Sequence, residues 1–528
     1  MNPPSPTARD LLRLWTARRG GTGWMRLLGY GVVATALHIA LLMLIIQRRD
    51  LSGLDQLVFW YLMLHLVVDA LRLLAGIAIL LWRGFPRLAA IAEHDWPGLT
   101  VVIPCHNEAE MIAATIGSLQ AVDYPNLRIL VVDDGSSDAT AAIACSMATA
   151  SATAASVTAA SVTTASRTTS LGASRPGETP SGATPSIASP IGTAGHMLLD
   201  LSMNTATDAA EDSILNTPNS AAHASIPAAP GGPELRVLRQ PAAGKAAALN
   251  AGIAAVTTPL TLLVDADCLL PRQGLRNAVR QLEGEAEDAL GGHLSVLNRD
   301  TWLTQLQHLE YGDMALRHWL WRFDLNLSHT QDVIPGALGL FRSEALRAAG
   351  PLSSSHLAED VALTARLLEQ GRRLAFSPFL QAATVVPDSL PSLRIQRRRW
   401  VRGYTQVALQ QLRRLPALNG RARMAALAMA IKTVRWPLDF ALALTYGLHA
   451  WSQGQPVVLL LSLPAMLFPF SLTGLSRFLR SDGRTLLLFT YGYGMLLLGW
   501  RVWDQLTMAS AERLRWEPYQ RRRSQAAG

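Results

Sequence analysis

The run Leu260-Thr261-Leu262-Leu263-Val264-Asp265-Ala266-Asp267 points to an α/β domain. Its first five residues are apolar or β-branched without a break, the pattern of a strand buried on both faces. It passes directly into two carboxylates. Two other runs have the same form: Leu99 to Pro104, leading into Cys105-His106-Asn107-Glu108, and Leu127 to Val132, leading into Asp133-Asp134-Gly135-Ser136-Ser137-Asp138. From Leu99 to about Thr384 such runs alternate with Ala/Leu-rich helical stretches, the signature of an α/β domain around a mostly parallel sheet. Open sheets of this class place ligands beyond the carboxyl ends of their strands, so the polar clusters should meet at one edge.

The domain is interrupted from about Ala141 to Pro233 by a stretch dominated by Ala, Ser and Thr with no Phe, Trp, Tyr or Lys. Such a composition buries too little apolar surface to offset its ordering entropy and reads as a disordered insertion, a tolerated surface loop in preference to a regulatory tether. The chain of 528 residues is 49% hydrophobic and only 16% charged, against roughly 25% charged in soluble domains, so a purely soluble protein is not expected. Leu27 to Ile46 carries no formal charge and is followed by a second apolar run, Leu57 to Trp82, in which Asp69 and Arg72 lie one helical turn apart and can neutralise each other. Arg9, Arg13, Arg18, Arg19 and Arg26 precede the first run, which has no small-residue cleavage site, so it reads as an uncleaved anchor with a cytoplasmic N-terminus.

After the domain come apolar segments at Leu438 to Trp451, Val457 to Leu475 and Leu486 to Trp503, with Met424 to Ile431 as an interfacial stretch bracketed by Arg423, Lys432 and Arg435. The expected division is a basic segment at 1–26, two transmembrane helices at 27–82, the catalytic domain at 97–390 holding the 141–233 insertion, interfacial helices at 391–435, about three transmembrane helices at 436–506 and a basic tail at 507–528. Three spans after the domain put the tail opposite to it, whereas Arg513, Arg515 and Arg521 to Arg523 belong on the cytoplasmic side; the two readings differ by one span. The net charge of +8 suits anionic headgroups or a phosphorylated substrate. Nucleic acid is not expected, because no Lys/Arg run interleaves with stacking aromatics. The 3 cysteines have neither disulfide-framework nor zinc spacing and fit a reducing compartment.

Four clusters carry chemistry. A carboxylate of Asp133-Asp134 can accept the imide N–H of uracil and His106 can stack on a base, although a DDGSSD string alone is most commonly an Asx-rich turn capping a helix. Lys245, within Gly244-Lys245-Ala246-Ala247-Ala248-Leu249-Asn250, can face a diphosphate from a helix start. Asp265 and Asp267 lie on one face if the strand continues, and hard divalent cations take one or two carboxylates plus substrate phosphates. Glu359-Asp360, after His356, sits where the helix dipole favours acids; the sharper reading is a general base at the cleft edge. Gln396-Arg397-Arg398-Arg399-Trp400, with Arg402, reads by itself as a juxtamembrane stretch holding anionic lipid.

Taken together in this order, the clusters resemble the processive family 2 membrane glycosyltransferases: the cellulose, hyaluronan, chitin and poly-N-acetylglucosamine synthases. The resemblance covers about Leu99 to Tyr404 without the insertion, and rests on Asp133-Asp134, on Asp265-Ala266-Asp267, on Ala358-Glu359-Asp360 for the family's TED and on Gln396 to Trp400 for its QxxRW. Pro104 to Glu108 is similar to the family's opening P-x-Y-N-E, and Pro335-Gly336-Ala337-Leu338-Gly339-Leu340-Phe341-Arg342 to its acceptor-side stretch. Three features depart from the pattern: His106 where an aromatic ring is usual, Ala358 for Thr, and the insertion.

The resemblance implies a GT-A type, Rossmann-like domain embedded between transmembrane helices. It implies that Asp134, with Asp133, binds uridine, that Pro104, His106, Glu108, Lys245, Gln396, Arg399 and Trp400 line the nucleotide-sugar and acceptor site, and that Asp265 and Asp267 bind the diphosphate and its Mg²⁺ or Mn²⁺. Asp360, beside Glu359, would be the base. The expected enzyme is an inverting, processive β-glycosyltransferase of the cell membrane with a cytoplasmic catalytic domain. It would use UDP-N-acetylglucosamine first and UDP-glucose second to extend a polysaccharide, in contact with membrane lipids; export or accessory subunits are left open. The alternatives are a non-processive transferase acting on a lipid, against which QxxRW argues, and a scaffold or transporter with an inactive domain, against which the intact carboxylates argue.

Overall fold

The computed structural model describes residues 87–149, 233–324, 333–454 and 492–508, with isolated positions 53, 56 and 60. In chain order the elements are β1 (Leu99–Cys105), α1 (Ile112–Gln120), β2 (Leu127–Asp134), α2 (140–149), β3 (Glu234–Gln240), α3 (Lys245–Ala255), β4 (Leu260–Val264), β5 (Cys268–Leu269), α4 (Leu275–Gly284), β6 (Ala289–Val296), α5 (Trp302–Asp324), β7 (Leu338–Arg342), α6 (Ser343–Ala348), α7 (Glu359–Glu369), β8 (Leu374–Thr384), α8 (Leu390–Arg413), α9 (Gly420–Ser452) and α10 (Gly494–Leu506).

The strands form one 8-stranded sheet in the order β3-β2-β1-β4-β7-β6-β8-β5. The β3-β2-β1-β4 half is parallel, as expected. The other half is mixed, which leaves the sheet as a whole mostly parallel: β7 runs antiparallel to both β4 and β6, β5 is antiparallel to β8, and β6 and β8 pair in parallel. The reversal has a direct cause. Residues 333–337 lie at the edge where β4 ends, so β7 must run back down from it, pairing Leu338 with Val264.

Alternation across the pleat builds the two faces. Leu99, Val101 and Ile103 of β1, with Leu260, Leu262 and Val264 of β4, pack under α1, α2 and α4 through Ile112, Ile116, Ala144, Leu275 and Val279. Val102 and Leu263 point to the opposite layer, where Leu249 and Ile253 of α3, Leu346 of α6 and Leu363 and Leu367 of α7 cover them. All seven residues of β1 are buried. At about 1.5–3 kcal/mol for each large apolar side chain removed from water, this central strand is a principal source of stability.

Three boundaries differ from the sequence reading. The insertion begins later than Ala141, because α2 runs through 149 and buries Ala141, Ala144 and Ala148 against the sheet; small residues at helical spacing were sufficient to dock it. Met424 to Ile431 and Leu438 to Trp451 are not separate elements but parts of α9, which continues through Pro437. Its first turns are anchored by Ala422, Ala425 and Ala426 in the catalytic core. Among the described residues no helix is long and apolar enough to cross a membrane. The segments Leu27 to Ile46, Leu57 to Trp82 (bar Trp60) and Val457 to Leu475, the start of Leu486 to Trp503, most of the insertion and both basic termini lie outside the described residues.

Candidate active site

The first two polar clusters meet because β1 and β2 are parallel and in register, with Cys105 opposite Asp133. The loops beyond them are stitched together: Asn107 N–H donates to Ser136 Oγ at 3.0 Å, Ser137 N–H donates to Asn107 Oδ1 at 2.8 Å, and Glu108 N–H donates to Thr140 Oγ1 at 2.7 Å. Pro104 pairs with Val132 within the ladder. His106 Nδ1 lies 2.8 Å from the carbonyl oxygen of Asp134, which fixes the imidazole at the strand end. Asp133 is buried, with Arg239 Nε 3.6 Å from its Oδ2. Asp134 ties this half to the next: its Oδ1 accepts from Gln240 Nε2 and the Ala243 N–H at 2.7 and 2.9 Å, and its Oδ2 from the Gly244 N–H at 2.7 Å.

Gly244 immediately precedes Lys245, the first residue of α3. The Lys245 Nζ lies 2.5 Å from Asp265 Oδ1 and 3.5 Å from Glu359 Oε1, so one ammonium spans two carboxylates from distant parts of the chain. Burial opposes the lysine's charge, but the two carboxylates outweigh it and hold its pKa above the ordinary lysine value. Burial and the nearby Asp267 push Asp265 above the usual aspartate range, against the pull of Lys245. The strand does not continue through these acids: β4 stops at Val264, and a turn closed by Cys268 N–H donating to the Asp265 carbonyl at 3.1 Å brings Asp267 round instead.

The acidic pair opens α7, with both Glu359 and Asp360 in its first turn. Burial works against the Glu359 charge, yet Lys245 and Arg399 hold its pKa below the usual glutamate value. Asp360 behaves oppositely: burial and the adjacent Glu359 raise its pKa, with partial relief from the Gly336 N–H that donates to its Oδ2 at 3.0 Å. A methyl group at Gly336 would lie 3.0 Å from the Asp360 Cβ, so that position must stay small for the contact to form. The neighbouring Ala337 carbonyl accepts from the Asp265 N–H at 3.3 Å. Residues 335–337 therefore bridge the DxD turn and the α7 start.

Helix α8 carries Gln396 to Trp400 against this group. Arg399 is close enough to Lys245 and Glu359 to shift the protonation of both. Arg397 turns instead into the protein, where its Nη2 donates to Glu310 Oε2 at 2.7 Å and its guanidinium lies 4.1 Å from the Trp400 ring centroid. The Tyr493 hydroxyl donates to the same Glu310 oxygen at 2.5 Å. Gln396 Oε1 accepts from Arg397 Nη1 at 2.8 Å. Trp400 also tilts against Tyr311, with ring centroids 6.4 Å apart. Close approach of α8 to the acidic motif depends on Gly403, where a Cβ would lie 2.6 Å from that of Ala358.

Lys245, Asp265, Asp267, Glu359, Asp360 and Arg399 thus converge on one edge, with His106, Glu108, Asp133 and Asp134 beside them through the 240–244 loop. Gln396 and Trp400 border the site by way of Arg397. Sequence reasoning missed Gln240, Glu310, Gly403, Tyr493 and Asp504. Only Asp504, an acid at the end of an apolar run, carries a local signal; the others declare themselves only once distant elements pack. Among the described residues there is no group of three or more metal-ligating side chains. Asp265 and Asp267 nevertheless match the one or two carboxylates that suffice for Mg²⁺ when phosphates supply the rest, and the Lys245 ammonium already occupies a cation position at Asp265.

Two family models match the chain. Residues 100–152 match glycosyl transferase family 2, and residues 220–403 match glycosyltransferase like family 2. The chain is 26% identical over 355 residues to an N-acetylglucosaminyltransferase of Rhizobium sp. (strain N33), covering 63% of this chain and 60% of that protein. It is 20% identical over 314 residues to the poly-beta-1,6-N-acetyl-D-glucosamine synthase of Staphylococcus aureus (strain COL), covering 59% of this chain and 56% of that protein. The matched region is less than two thirds of either relative's own length. Among solved structures, the mannosyltransferase PcManGT from Pyrobaculum calidifontis in complex with GDP-Man and Mn2+ aligns with a TM-score of 0.45 and 17% identity over 85% of this chain and 98% of that chain. One model lies on the strands that bear Asp133 and Asp134 and the other on the elements that bear Lys245, Asp265, Asp360 and Arg399, so the part of the chain that carries the site is similar to the family 2 glycosyltransferases.

Proposed function

We propose that the protein is an inverting β-glycosyltransferase that transfers a sugar from a UDP-sugar, N-acetylglucosamine before glucose, to a growing polysaccharide. The observation that carries this reading is the Lys245 bridge between Asp265 and Glu359, which joins the diphosphate-side acids to the motif holding Asp360. In the reaction, Asp360 takes the proton of the acceptor hydroxyl as that oxygen attacks the anomeric carbon from the face opposite UDP. The bond to the diphosphate breaks, and its electron pair leaves with UDP. Lys245 and Arg399 face the charge that develops on the departing diphosphate. Asp265 and Asp267 would hold a divalent cation, Mg²⁺ or Mn²⁺, which when bound supplies further electrostatic stabilisation there. Trp400 offers an apolar face for an acceptor sugar.

The apolar runs of residues 27–82 and the exposed Met424, Leu427, Ile431, Val434 and Leu438, spaced three and four apart along α9, support a seat in the cell membrane with the catalytic domain on the cytoplasmic side. Incubating the detergent-purified full chain with a panel of UDP-sugars and a divalent cation tests the proposal. Release of UDP and growth of a β-linked product from UDP-N-acetylglucosamine is the expected result; no turnover of any UDP-sugar overturns it.

Two further outcomes are expected. Arg399→Lys should cut turnover sharply, because a planar guanidinium grips phosphate through two N–H groups where an ammonium offers a point charge; equal activity in the two proteins would return this residue to a charge-only role at the lipid surface. Removing Ser151 to Ala229 should leave UDP release intact, since a segment without aromatic or lysine side chains offers little to anchor it to a partner. Loss of turnover in a deletion variant that still binds donor would show the segment to be functional.

A further inference from the structure

Helix α8 presents a second arginine face, separate from the one at Lys245. Arg394, Arg398 and Arg402 recur every fourth residue and all approach one carboxylate, Asp504 of α10. Arg394 grips it with both terminal nitrogens, its Nη2 donating to Oδ1 at 2.6 Å. The Nε atoms of Arg398 and Arg402 stand 4.0 and 3.9 Å from the same Oδ1, too far for hydrogen bonds. Three cations therefore face one fully buried anion, and among the described residues two positive charges are left without a counter-charge in the cluster.

Hydrogen bonding in the cluster has the same shortfall. Arg402 is 4% exposed; its Nη2 donates to Thr507 Oγ1 at 3.0 Å, while its Nε and Nη1, and the Nε of Arg398, are buried without an acceptor among the described residues. Buried guanidinium N–H groups lacking an acceptor are costly, and a tetrahedral oxyanion supplies several oxygens to two forks at once. The half-exposed Arg398 side chain leaves a way in from solvent. We infer that Arg398 and Arg402, backed by the Arg394–Asp504 pair, form an oxyanion site for one phosphate group, independent of the donor diphosphate. Its source is either free phosphate or the phosphodiester headgroup of an anionic lipid, which share this chemistry.

The test uses the full chain with saturating UDP and Mg²⁺, so that the donor site is already filled. Thermal unfolding is followed in neutral detergent with inorganic phosphate against chloride at equal ionic strength, and in nanodiscs of phosphatidylcholine with and without phosphatidylglycerol. A bound anion raises the midpoint by mass action. The expected result is a rise in at least one arm that disappears in Arg398→Gln/Arg402→Gln, while the stabilisation by UDP persists in both proteins. A rise with phosphate identifies a small-anion site, and a rise with phosphatidylglycerol alone identifies a headgroup site. No rise in either arm, or an equal rise in the variant, overturns the inference. Should the glutamine variant fail to fold, Arg398→Lys/Arg402→Lys keeps the charge without the fork and should weaken apparent affinity by about tenfold or more, the worth of one charge-assisted hydrogen bond; unchanged affinity in that protein overturns it equally.

Discussion

Asp360→Asn should lower sugar transfer by about 10²- to 10⁴-fold, the usual contribution of a positioned general base, while UDP affinity stays near that of the parent protein. The amide keeps the shape and can still accept from the Gly336 N–H, but it cannot take a proton from a sugar hydroxyl. Donor binding rests on other groups: the 240–244 loop held by Asp134, Lys245 at the start of α3, and the DxD turn. Asp267→Asn is the contrasting variant, expected to weaken metal-dependent donor binding itself. Measuring UDP affinity and product formation for both proteins separates the roles, and near-normal synthesis by Asp360→Asn would remove Asp360 from the chemistry.

The pH dependence follows from the same site. Because burial and Glu359 raise the Asp360 pKa, the acid limb of kcat/KM should lie above that of an exposed aspartate, which titrates near about 3.9, and the rate should climb as the proton leaves. The stability effect has the opposite sense. A raised folded-state pKa means that the native protein holds this proton more tightly than the unfolded chain does, so this contribution is present at low pH and is lost as pH rises through the folded value. A rate profile whose acid limb vanishes in Asp360→Asn would link the limb to this carboxylate.

Arg397→Met should destabilise the protein by about 3–5 kcal/mol, the cost of removing one partner of a buried ion pair. The Arg397 side chain is 6% exposed and its partner Glu310 is 15% exposed. Methionine would leave that carboxylate, among the described residues, facing the Tyr493 hydroxyl alone and would also abolish the stacking of the guanidinium on Trp400. The double variant Glu310→Met/Arg397→Met should recover most of the loss, since two apolar side chains leave no stranded charge. Denaturant unfolding of both proteins tests this, and a single variant as stable as the parent would show the pair to be energetically idle. Because Arg397 lies between Gln396 and Arg399, the single variant should also reduce turnover through misplacement of α8.

The parallel half of the sheet was legible because its strands are continuous apolar runs: Leu260 to Val264 has the same limits in sequence and structure, and the runs from Leu99 and Leu127 only extend one or two residues further, into Cys105 and Asp134. β3 was not legible, since Glu-Leu-Arg-Val-Leu-Arg-Gln alternates polar and apolar residues as an edge strand does, without a buried run to announce it. β7 was read only as a motif, and its reversed direction depends on where residues 333–337 cross the sheet. The acids and Lys245 were legible by type and order, whereas their pairing was not. Asp265 and Glu359 are brought to one ammonium by packing of α3 against β1 and β2 and of α7 against α8. Likewise the partner of Arg397 comes from α5, where no local pattern marks Glu310, and that of Arg394 from α10, where Asp504 stands out only as an acid at the end of an apolar run.

The position of the insertion has a consequence for chain integrity. It leaves the domain after α2 and re-enters at β3, the outermost strand, which is held by a seven-residue parallel register from Arg128 opposite Glu234 to Asp134 opposite Gln240. Nothing else in the sheet must be threaded through that connection. A connection this long holds its two ends at only a low effective concentration, so the assembled domain rests chiefly on the β2–β3 ladder and the core the two parts bury together. A protein cut once within 150–232 should therefore persist as two fragments that copurify, the shorter bringing Asp133 and Asp134 and the longer bringing Lys245, Asp265 and Asp360, with a complete site at their seam.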